Sequence, residues 1–360
     1  MNSADSFSPD FIQARDKFRE AAASASGALE SITCPERGPD GEELSTDLAW
    51  FGPREAEGIL VMISGTHGVE GFCGSGAQVD WLRRGATNRL PAGLAVLMIH
   101  AINPYGFAWL RRVTQENVDL NRNWIDFDAA VPDNPGYDEL SAAVLPAEWS
   151  EASQRESFQV LDAYRAKYGM DALQQALSGG QYKHPAGIYY GGASPTWARR
   201  TQTSIFETYL ANAARVAIID YHTGLGAWGC AEPMITDPID SAGFKRARKW
   251  YGAAITSTVG GDSTSADIIG DGLAAASALL PGVEVTGMAL EIGVQPPMQV
   301  LNALRADAWL HACGDPLGEQ GRAIKAEIRA AFYGDADVWK GMVAGQSWLT
   351  CRQAIAGLQR

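Results

Sequence analysis

Four short, largely apolar runs stand out along the chain, at residues 59–63, 94–102, 216–220 and 288–292. They lack the regular polar alternation of a half-exposed strand, which is typical of strands buried on both faces of a parallel sheet. Segments with helical periodicity lie between them, for example at 74–84 and 204–214. This order of elements predicts an α/β fold with a mixed, largely parallel central sheet flanked by helices.

The segments on either side of these runs add further elements. Apolar residues at helical spacing predict a helix over about 9–25, and residues 29–50 have the pattern of a hairpin. Near the C-terminus, helices are predicted over 298–313 and 316–332, the second with Lys325 on its solvent-facing side.

The interval between the second and third runs is long and has helical patterns of its own, at 150–168 and 170–177. A connection of this length without a role in the sheet is typical of an insertion. We therefore expect one domain of residues 1–360 with four parts: a helix and hairpin at 1–54, a core at 55–300, an insertion at about 125–215 and a helical region at 301–360.

A histidine and a glutamate follow the first apolar run directly, in the segment His67-Gly-Val-Glu70. Ligands in open α/β folds collect at the carboxyl ends of the strands, and zinc accepts imidazole nitrogen together with carboxylate oxygen. This pair therefore suggests zinc hydrolysis as a first hypothesis. The spacing alone is weak evidence, and the alternative is an ordinary turn at the end of a strand.

A second polar segment follows the second run and contains Arg112, Asn121 and Arg122. A guanidinium offers paired donors that match a carboxylate, and another arginine can stabilise a developing oxyanion. These three residues are candidates for gripping the carboxylate and the carbonyl of a substrate. The alternative for each arginine is a surface salt bridge.

The third and fourth runs each carry one side chain suited to the same chemistry. His222 ends the third run and is a candidate third metal ligand, with Asp220 on the same strand face. Glu291 is a single carboxylate in an otherwise apolar strand, where an unpaired charge is costly. We expect it to act as a general base beside the metal, and the alternative is a buried ion pair with an arginine.

Taken in order, these segments resemble the zinc carboxypeptidase superfamily, which also contains deacylases of the aspartoacylase and succinylglutamate desuccinylase type. The resemblance covers about residues 55–300 and includes Asn103-Pro-Tyr-Gly106 and Asp119-Leu-Asn-Arg-Asn-Trp124. It implies a carboxypeptidase-like fold and one Zn²⁺ per chain. Its implied site assignments are His67, Glu70 and His222 as zinc ligands, Arg112 on the scissile carbonyl, Asn121 and Arg122 on the terminal carboxylate, and Glu291 as general base and acid.

The resemblance implies a hydrolase that cleaves an amide bond next to a free carboxylate by metal-activated water. Two activities stay open, a carboxypeptidase and an N-acyl amino acid deacylase. No tyrosine occurs at 252–288, where digestive carboxypeptidases place the phenol that caps the substrate. A peptide substrate predicts an open groove, whereas a small acylated amino acid predicts that the insertion walls the pocket. A binding protein that has lost turnover is a less favoured alternative.

Composition and charge limit the classes of molecule that the protein is expected to bind. The formal net charge of −13, without a basic tract, argues against nucleic acid, and no apolar run reaches the length that crosses a bilayer. The first residues lack the pattern of a signal peptide, so a cytoplasmic location is expected. The 5 cysteines are widely spaced and argue against a disulfide framework. The expected partner is a small peptide or an N-acyl amino acid, and the sequence does not decide between a monomer and a homo-oligomer.

Overall fold

The computed structural model describes residues 2–260, 263–266 and 268–360. Within this part of the chain, eight strands form a single sheet with the order β1-β2-β4-β3-β5-β8-β6-β7. The strands are β1 (Ala28–Arg37), β2 (Glu43–Phe51), β3 (Gly58–Ile63), β4 (Leu94–His100), β5 (Arg215–Trp228), β6 (Ala231–Ile235), β7 (Thr256–Ser257) and β8 (Glu284–Gly293).

The four central strands β4, β3, β5 and β8 are parallel. Strands β1 and β2 form the predicted antiparallel hairpin at one side, and β6 pairs antiparallel with β8 at the other. The predicted mixed, largely parallel sheet is thus confirmed. Because the central strands run in one direction, their carboxyl ends meet at a single edge of the sheet, where open α/β folds bind ligands.

Twelve α-helices occur within the described ranges: α1 (Phe11–Ser24), α2 (Gly71–Arg83), α3 (Pro104–Ala108), α4 (Pro135–Val144), α5 (Glu151–Tyr168), α6 (Met170–Ser178), α7 (Trp197–Tyr209), α8 (Ala242–Tyr251), α9 (Gly272–Leu279), α10 (Pro297–Cys313), α11 (Glu319–Phe332) and α12 (Asp337–Leu358). None of these helices combines the length and apolar character that a bilayer crossing requires. Helix α7 begins and ends earlier than the predicted 204–214, because the Thr196 side chain accepts a hydrogen bond from the Arg199 amide and sets its start.

Alternate residues of the central strands enter two separate cores, one on each face of the sheet. In β3, Leu60 and Met62 belong to the core that also holds buried residues of α1, α2 and α12. Ile59, Val61 and Ile63 belong to the opposite core, with residues of α7 and α9. This two-sided burial explains why the strands are apolar at nearly every position.

Helices α4, α5 and α6, which lie in the segment predicted to be an insertion, share a third hydrophobic cluster with the C-terminal helices. Leu140 of α4, Leu161 of α5 and Leu173 of α6 share this cluster with Val300 of α10 and Phe332 of α11. All five side chains are buried. The insertion is therefore packed against the body of the molecule through apolar contacts, which hold its helices in place.

Lys325 of α11 is buried, so its predicted position on a solvent-facing side is wrong. Its Nζ atom lies 2.5 Å from Oδ1 of Asp307 on α10, and Asp307 also accepts a hydrogen bond from Arg111. Burial lowers the pKa of Lys325 to about 8. Helical periodicity did not reveal this partner, because Asp307 lies on a different helix.

Candidate active site

Four candidate residues reach the same edge of the sheet, and we refer to them as the strand-end cluster: His67, Glu70, His222 and Glu291. His67 immediately precedes the short 3₁₀ turn Gly68–Glu70 that follows β3. His222 and Glu291 are register partners on the adjacent parallel strands β5 and β8. The sheet therefore brings together side chains that are more than 200 positions apart in the sequence, as the order of the polar segments predicted.

Three side chains of the cluster are arranged to hold a metal ion. The Nδ1 atoms of His67 and His222 lie 3.1 Å apart. The Glu70 carboxylate lies 3.0 Å from Nδ1 of His67 and 3.2 Å from Nδ1 of His222. Ligand atoms at the corners of a tetrahedral zinc site are roughly 3.3 Å apart, as zinc–ligand bonds of about 2.0–2.1 Å require. The buried His67, Glu70 and His222 therefore fit a zinc ion.

Each histidine has a carboxylate behind it. Nε2 of His67 lies 3.2 Å from Asp119, and Nε2 of His222 lies 2.9 Å from Asp220. Metal-binding histidines commonly use their second nitrogen in this way, which fixes the ring orientation. Burial lowers the pKa of His222, but Asp220 and Glu70 raise it by more, so its pKa is held well above the ordinary value.

Glu70 is held in the charged form by its neighbours. Burial raises its pKa, but His67, His222 and Arg112 together lower it by more, and the result is well below the usual range. The Thr223 amide donates a further hydrogen bond to the carboxylate at 3.0 Å. A carboxylate that stays charged is suited to binding a cation.

The turn that carries His67 and Glu70 is interlocked with a neighbouring loop. The Gly68 amide donates to the Arg112 carbonyl at 3.1 Å, and the Val69 amide donates to the Arg111 carbonyl at 2.8 Å. A Cβ atom at Gly68 would lie 2.0 Å from the Gly106 carbonyl carbon, far closer than any side chain allows. Glycine at position 68 therefore permits the backbone contact that aligns the two segments.

Glu291 is buried next to the metal ligands and does not form the ion pair with an arginine that was considered as an alternative. Among the described residues, its one hydrogen-bond donor is the Leu225 amide, at 2.9 Å from Oε1. Burial and the neighbouring Glu70 raise the pKa of Glu291 to about 7. A carboxyl group in such a setting can both accept and return a proton near neutral pH.

Arg112 lies between two carboxylates at the edge of the site. Its guanidinium donates to Glu70 at 2.8 Å and to Asp119 at 2.9 Å. Burial lowers its pKa, but Asp119 and Glu70 raise it by more, so the guanidinium keeps its charge. Arg112 lines the same cavity as the strand-end cluster.

Asn121 and Arg122 also line this cavity, but part of their hydrogen-bonding capacity is used by the backbone. The Asn121 side-chain oxygen accepts from the Gly272 amide at 3.3 Å. Arg122 donates to the Asn121 carbonyl at 2.9 Å and to the Ser178 carbonyl at the end of α6. The structure thus places both residues at the site, and their role in holding a substrate carboxylate stays a prediction.

Tyr189 is a further residue of the site, outside the set of site residues predicted from the sequence. Its ring centre lies 5.3 Å from the guanidinium carbons of both Arg112 and Arg122, and the ring also lines the cavity. Its backbone has φ = 54°, which non-glycine residues rarely adopt. No local pattern in the sequence distinguishes Tyr189 from the adjacent Tyr190.

Comparison with known proteins places the chain in a family. The model of a family described as "Protein of unknown function (DUF2817)" matches residues 7–346. The chain belongs to this family. No curated protein matches this chain.

Several solved structures are similar to this chain, all at low sequence identity. Carboxypeptidase A from Helicoverpa armigera is 10% identical with a TM-score of 0.47, covering 89% of this chain and 73% of its own. An aspartoacylase family protein from Mesorhizobium loti is 15% identical with a TM-score of 0.36, and the match covers 79% of this chain and 66% of that protein. The murein-tripeptide amidase MpaA from Escherichia coli O157 is 14% identical with a TM-score of 0.33, and the match covers 83% of this chain and 92% of that protein.

Proposed function

We propose that this chain is a zinc-dependent hydrolase that cleaves an amide bond next to a free carboxylate. The observation that carries the proposal is the meeting of His67, Glu70 and His222 at tetrahedral spacing, with a carboxylate behind each histidine. We expect one zinc ion per chain. A bound zinc ion supplies Lewis acidity, because it lowers the pKa of water and polarises a carbonyl oxygen.

Glu291 supplies the proton chemistry in this proposal. Its carboxylate is buried beside the metal ligands, and one oxygen is held by the Leu225 amide. The other oxygen has no hydrogen-bond donor in the described part of the chain, so it can accept a proton from water and return it to the leaving nitrogen. Arg112 keeps its charge between Glu70 and Asp119 and stabilises the oxyanion that develops on the carbonyl.

Asn121 and Arg122 are the proposed holders of the substrate carboxylate. Both side chains line the cavity, and Arg122 is paired there with backbone carbonyls, while the nearest carboxylate, Asp119, is 4.0 Å away. Because Asp119 is paired more closely with Arg112, at 2.9 Å, the Arg122 guanidinium can still attract an incoming anion. Its position is fixed by the contact with Ser178 of α6, so the insertion takes part in orienting this group.

Of the two activities, the structure favours an N-acyl amino acid deacylase over a carboxypeptidase that accepts long peptides. Side chains of α5 and α6, both in the insertion, line the cavity at the strand-end cluster. The cavity has a volume of about 300 Å³, at the small end of the range for ligand pockets. A pocket walled in this way suits a small acylated amino acid.

The first experiment measures metal content by plasma mass spectrometry in the wild type and in His67→Ala. We expect about one zinc per wild-type chain and a metal-depleted variant. The matched control is His184→Ala, which removes a histidine outside the site that pairs with Asp138. A wild-type protein that neither carries zinc nor takes it up would overturn the proposed mechanism.

The second experiment screens the zinc-loaded protein against N-acyl amino acids and C-terminal peptides. Hydrolysis by the wild type and not by His67→Ala supports the proposal. A zinc-loaded wild type that binds these compounds and turns over neither amides nor esters would favour the alternative of a binding protein that has lost catalysis.

A further inference from the structure

The cavity at the strand-end cluster is lined by two chemically different sets of side chains. One set consists of the polar candidates, including His67, Arg112, His222 and Glu291. The other set includes three leucines of α5 and α6, Leu161, Leu173 and Leu177, which we call the leucine wall. Further apolar residues line the same cavity: Met234, Leu273, Val300 and Leu301.

The leucine wall is firmly supported. Leu161 comes from α5, and Leu173 and Leu177 come from α6, and the three side chains are 2%, 7% and 5% exposed. Tyr137 and Leu140 of α4 belong to the same hydrophobic cluster. Because the three leucines are packed within this cluster, they present a fixed apolar surface to whatever enters the cavity.

The charged residues of α5 and the residue that caps α9, which also line the cavity, already have partners. Asp162 and Arg165 of α5 form a salt bridge with each other at 3.0 Å. Asp271 accepts hydrogen bonds from the Leu273 and Ala274 amides at 2.8 and 2.9 Å and caps α9. Within the described residues, the leucine wall therefore offers no free charge to a polar ligand, and a polar group placed against it would lose its hydration.

From these observations we infer that the preferred substrate combines one free carboxylate with one apolar group, aliphatic or aromatic, that lies against the leucine wall. This inference rests on the proposed function and extends it to a substrate class. Small amides with only a short acyl group, or with a second charged group at this position, are then poor substrates. The apolar group is either the acyl chain or the side chain of the amino acid.

Two substrate series decide which part of the substrate meets the wall. N-acyl glycines with acyl chains from acetyl to octanoyl vary one part, and N-acetyl amino acids from alanine to phenylalanine vary the other. Each buried methylene contributes about 0.8 kcal/mol, so kcat/KM is expected to rise about fourfold per methylene in one series until the cavity is full. A flat response in both series would overturn the inference while leaving the hydrolase intact.

A binding measurement separates this inference from the proposed function. Straight-chain carboxylates from acetate to octanoate contain no amide and are titrated into the wild type by calorimetry. The inference expects the Kd to fall about fourfold per methylene. If affinity rises in this way but no amide is cleaved, the proposed function fails and the apolar site stands. If affinity does not depend on chain length, the inference fails whatever the enzyme hydrolyses.

Two substitutions in the leucine wall test whether the dependence of kcat/KM on the apolar group arises there. Leu173→Asn is expected to lower kcat/KM about tenfold for the best long substrate, the equivalent of one or two methylenes, and to lower it by a smaller factor for N-acetylglycine, so the ratio between the two substrates is the measured quantity. Leu173→Phe keeps the wall apolar and fills the cavity, so the optimum is expected to move to a shorter group. The matched control is Val160→Asn, an exposed position of α5 that does not line the cavity. Equal losses in Val160→Asn and Leu173→Asn would contradict the assignment.

Discussion

The strand-end cluster and the leucine wall line one cavity, and their side chains are held by different forces. In the cluster, ion pairs and hydrogen bonds between 2.8 and 3.2 Å fix His67, Glu70 and His222 individually. In the wall, positions follow from hydrophobic packing among helices. Directional bonds suit groups that must meet a reacting atom, whereas packed apolar surfaces tolerate changes of shape.

This difference suggests separate roles: the strand-end cluster carries out the proposed reaction, and the leucine wall selects the substrate. In the cluster, His222 and Glu291 are register partners on adjacent strands, and His67 and Glu70 of the turn after β3 contact His222, so a change at one member affects the others. The wall lies on helices α5 and α6, outside the sheet. We therefore expect substitutions in the cluster to affect turnover for every substrate, and substitutions in the wall to affect only the choice among substrates.

The largest predicted effect tests the chemical side of this comparison. Glu291→Gln removes the proton acceptor and keeps the shape of the side chain, so kcat is expected to fall about a thousandfold for long and short substrates alike. Zinc content by mass spectrometry should be unchanged. Glu284→Gln, at the exposed start of the same strand, is the control and should retain activity. A loss confined to long substrates would contradict the separation.

A second prediction concerns the sheet behind the cluster, where His100 of β4 is buried against Ser75 at 2.9 Å and stacks on Phe18. Burial lowers the pKa of His100 to about 4, although Asp47 opposes this and Arg19 and Arg15 add to it. Between pH 6.5 and 4, the unfolded chain binds a proton at this position and the folded chain does not. Stability is therefore lost as the pH falls through this window, by about 3 kcal/mol.

Urea unfolding of the wild type and His100→Gln at several pH values between 4 and 7 measures this effect. The variant should lose less stability than the wild type over the window, whatever its stability at pH 7. His184→Gln, at a partly exposed histidine, is the control. Parallel curves for the wild type and His100→Gln would show that the buried histidine does not carry the pH dependence.

A third prediction sharpens the role of the carboxylates behind the histidines. Asp119→Asn keeps the size of the side chain and weakens the contact with Nε2 of His67, so zinc affinity is expected to fall about 10- to 100-fold. Competition with a chelator measures the change. Asp126→Asn, an exposed position in the same loop, should bind zinc like the wild type. Equal affinity in Asp119→Asn and the wild type would mean that His67 is oriented by other contacts.

The smallest predicted effect lies on the outer side of the insertion. Arg155 and Glu151 of α5 form an ion pair at 3.4 Å with side chains that are 68% and 92% exposed. Arg155→Ala is expected to change the free energy of unfolding by less than about 0.5 kcal/mol and to leave kcat/KM unchanged. A large change in either quantity would show that the insertion is coupled to the site from its outer face as well.

The hairpin, the four central strands and the residues at their ends could be predicted because they depend on local patterns, whereas strands β6 and β7 were not predicted. Apolar runs marked the central strands, and polar residues at their ends marked His67, Glu70, His222 and Glu291. Contacts between distant segments escaped prediction: Asp307 beside Lys325, and Tyr189 between two arginines. Helix α12 was missed because its buried face includes polar and small residues such as Ser347 and Gly357.

The contact between the Gly68 turn and the Gly106 backbone has a consequence for engineering. It joins the segment that bears two of the metal ligands to the loop that bears Arg112, so the two form one cassette. Changing only the leucines of α5 and α6 would leave this cassette whole, so we expect it to alter the specificity of the proposed hydrolase while keeping its reaction. Enlarging residue 68, even to alanine, would separate the two segments, and we expect it to abolish the reaction for every substrate.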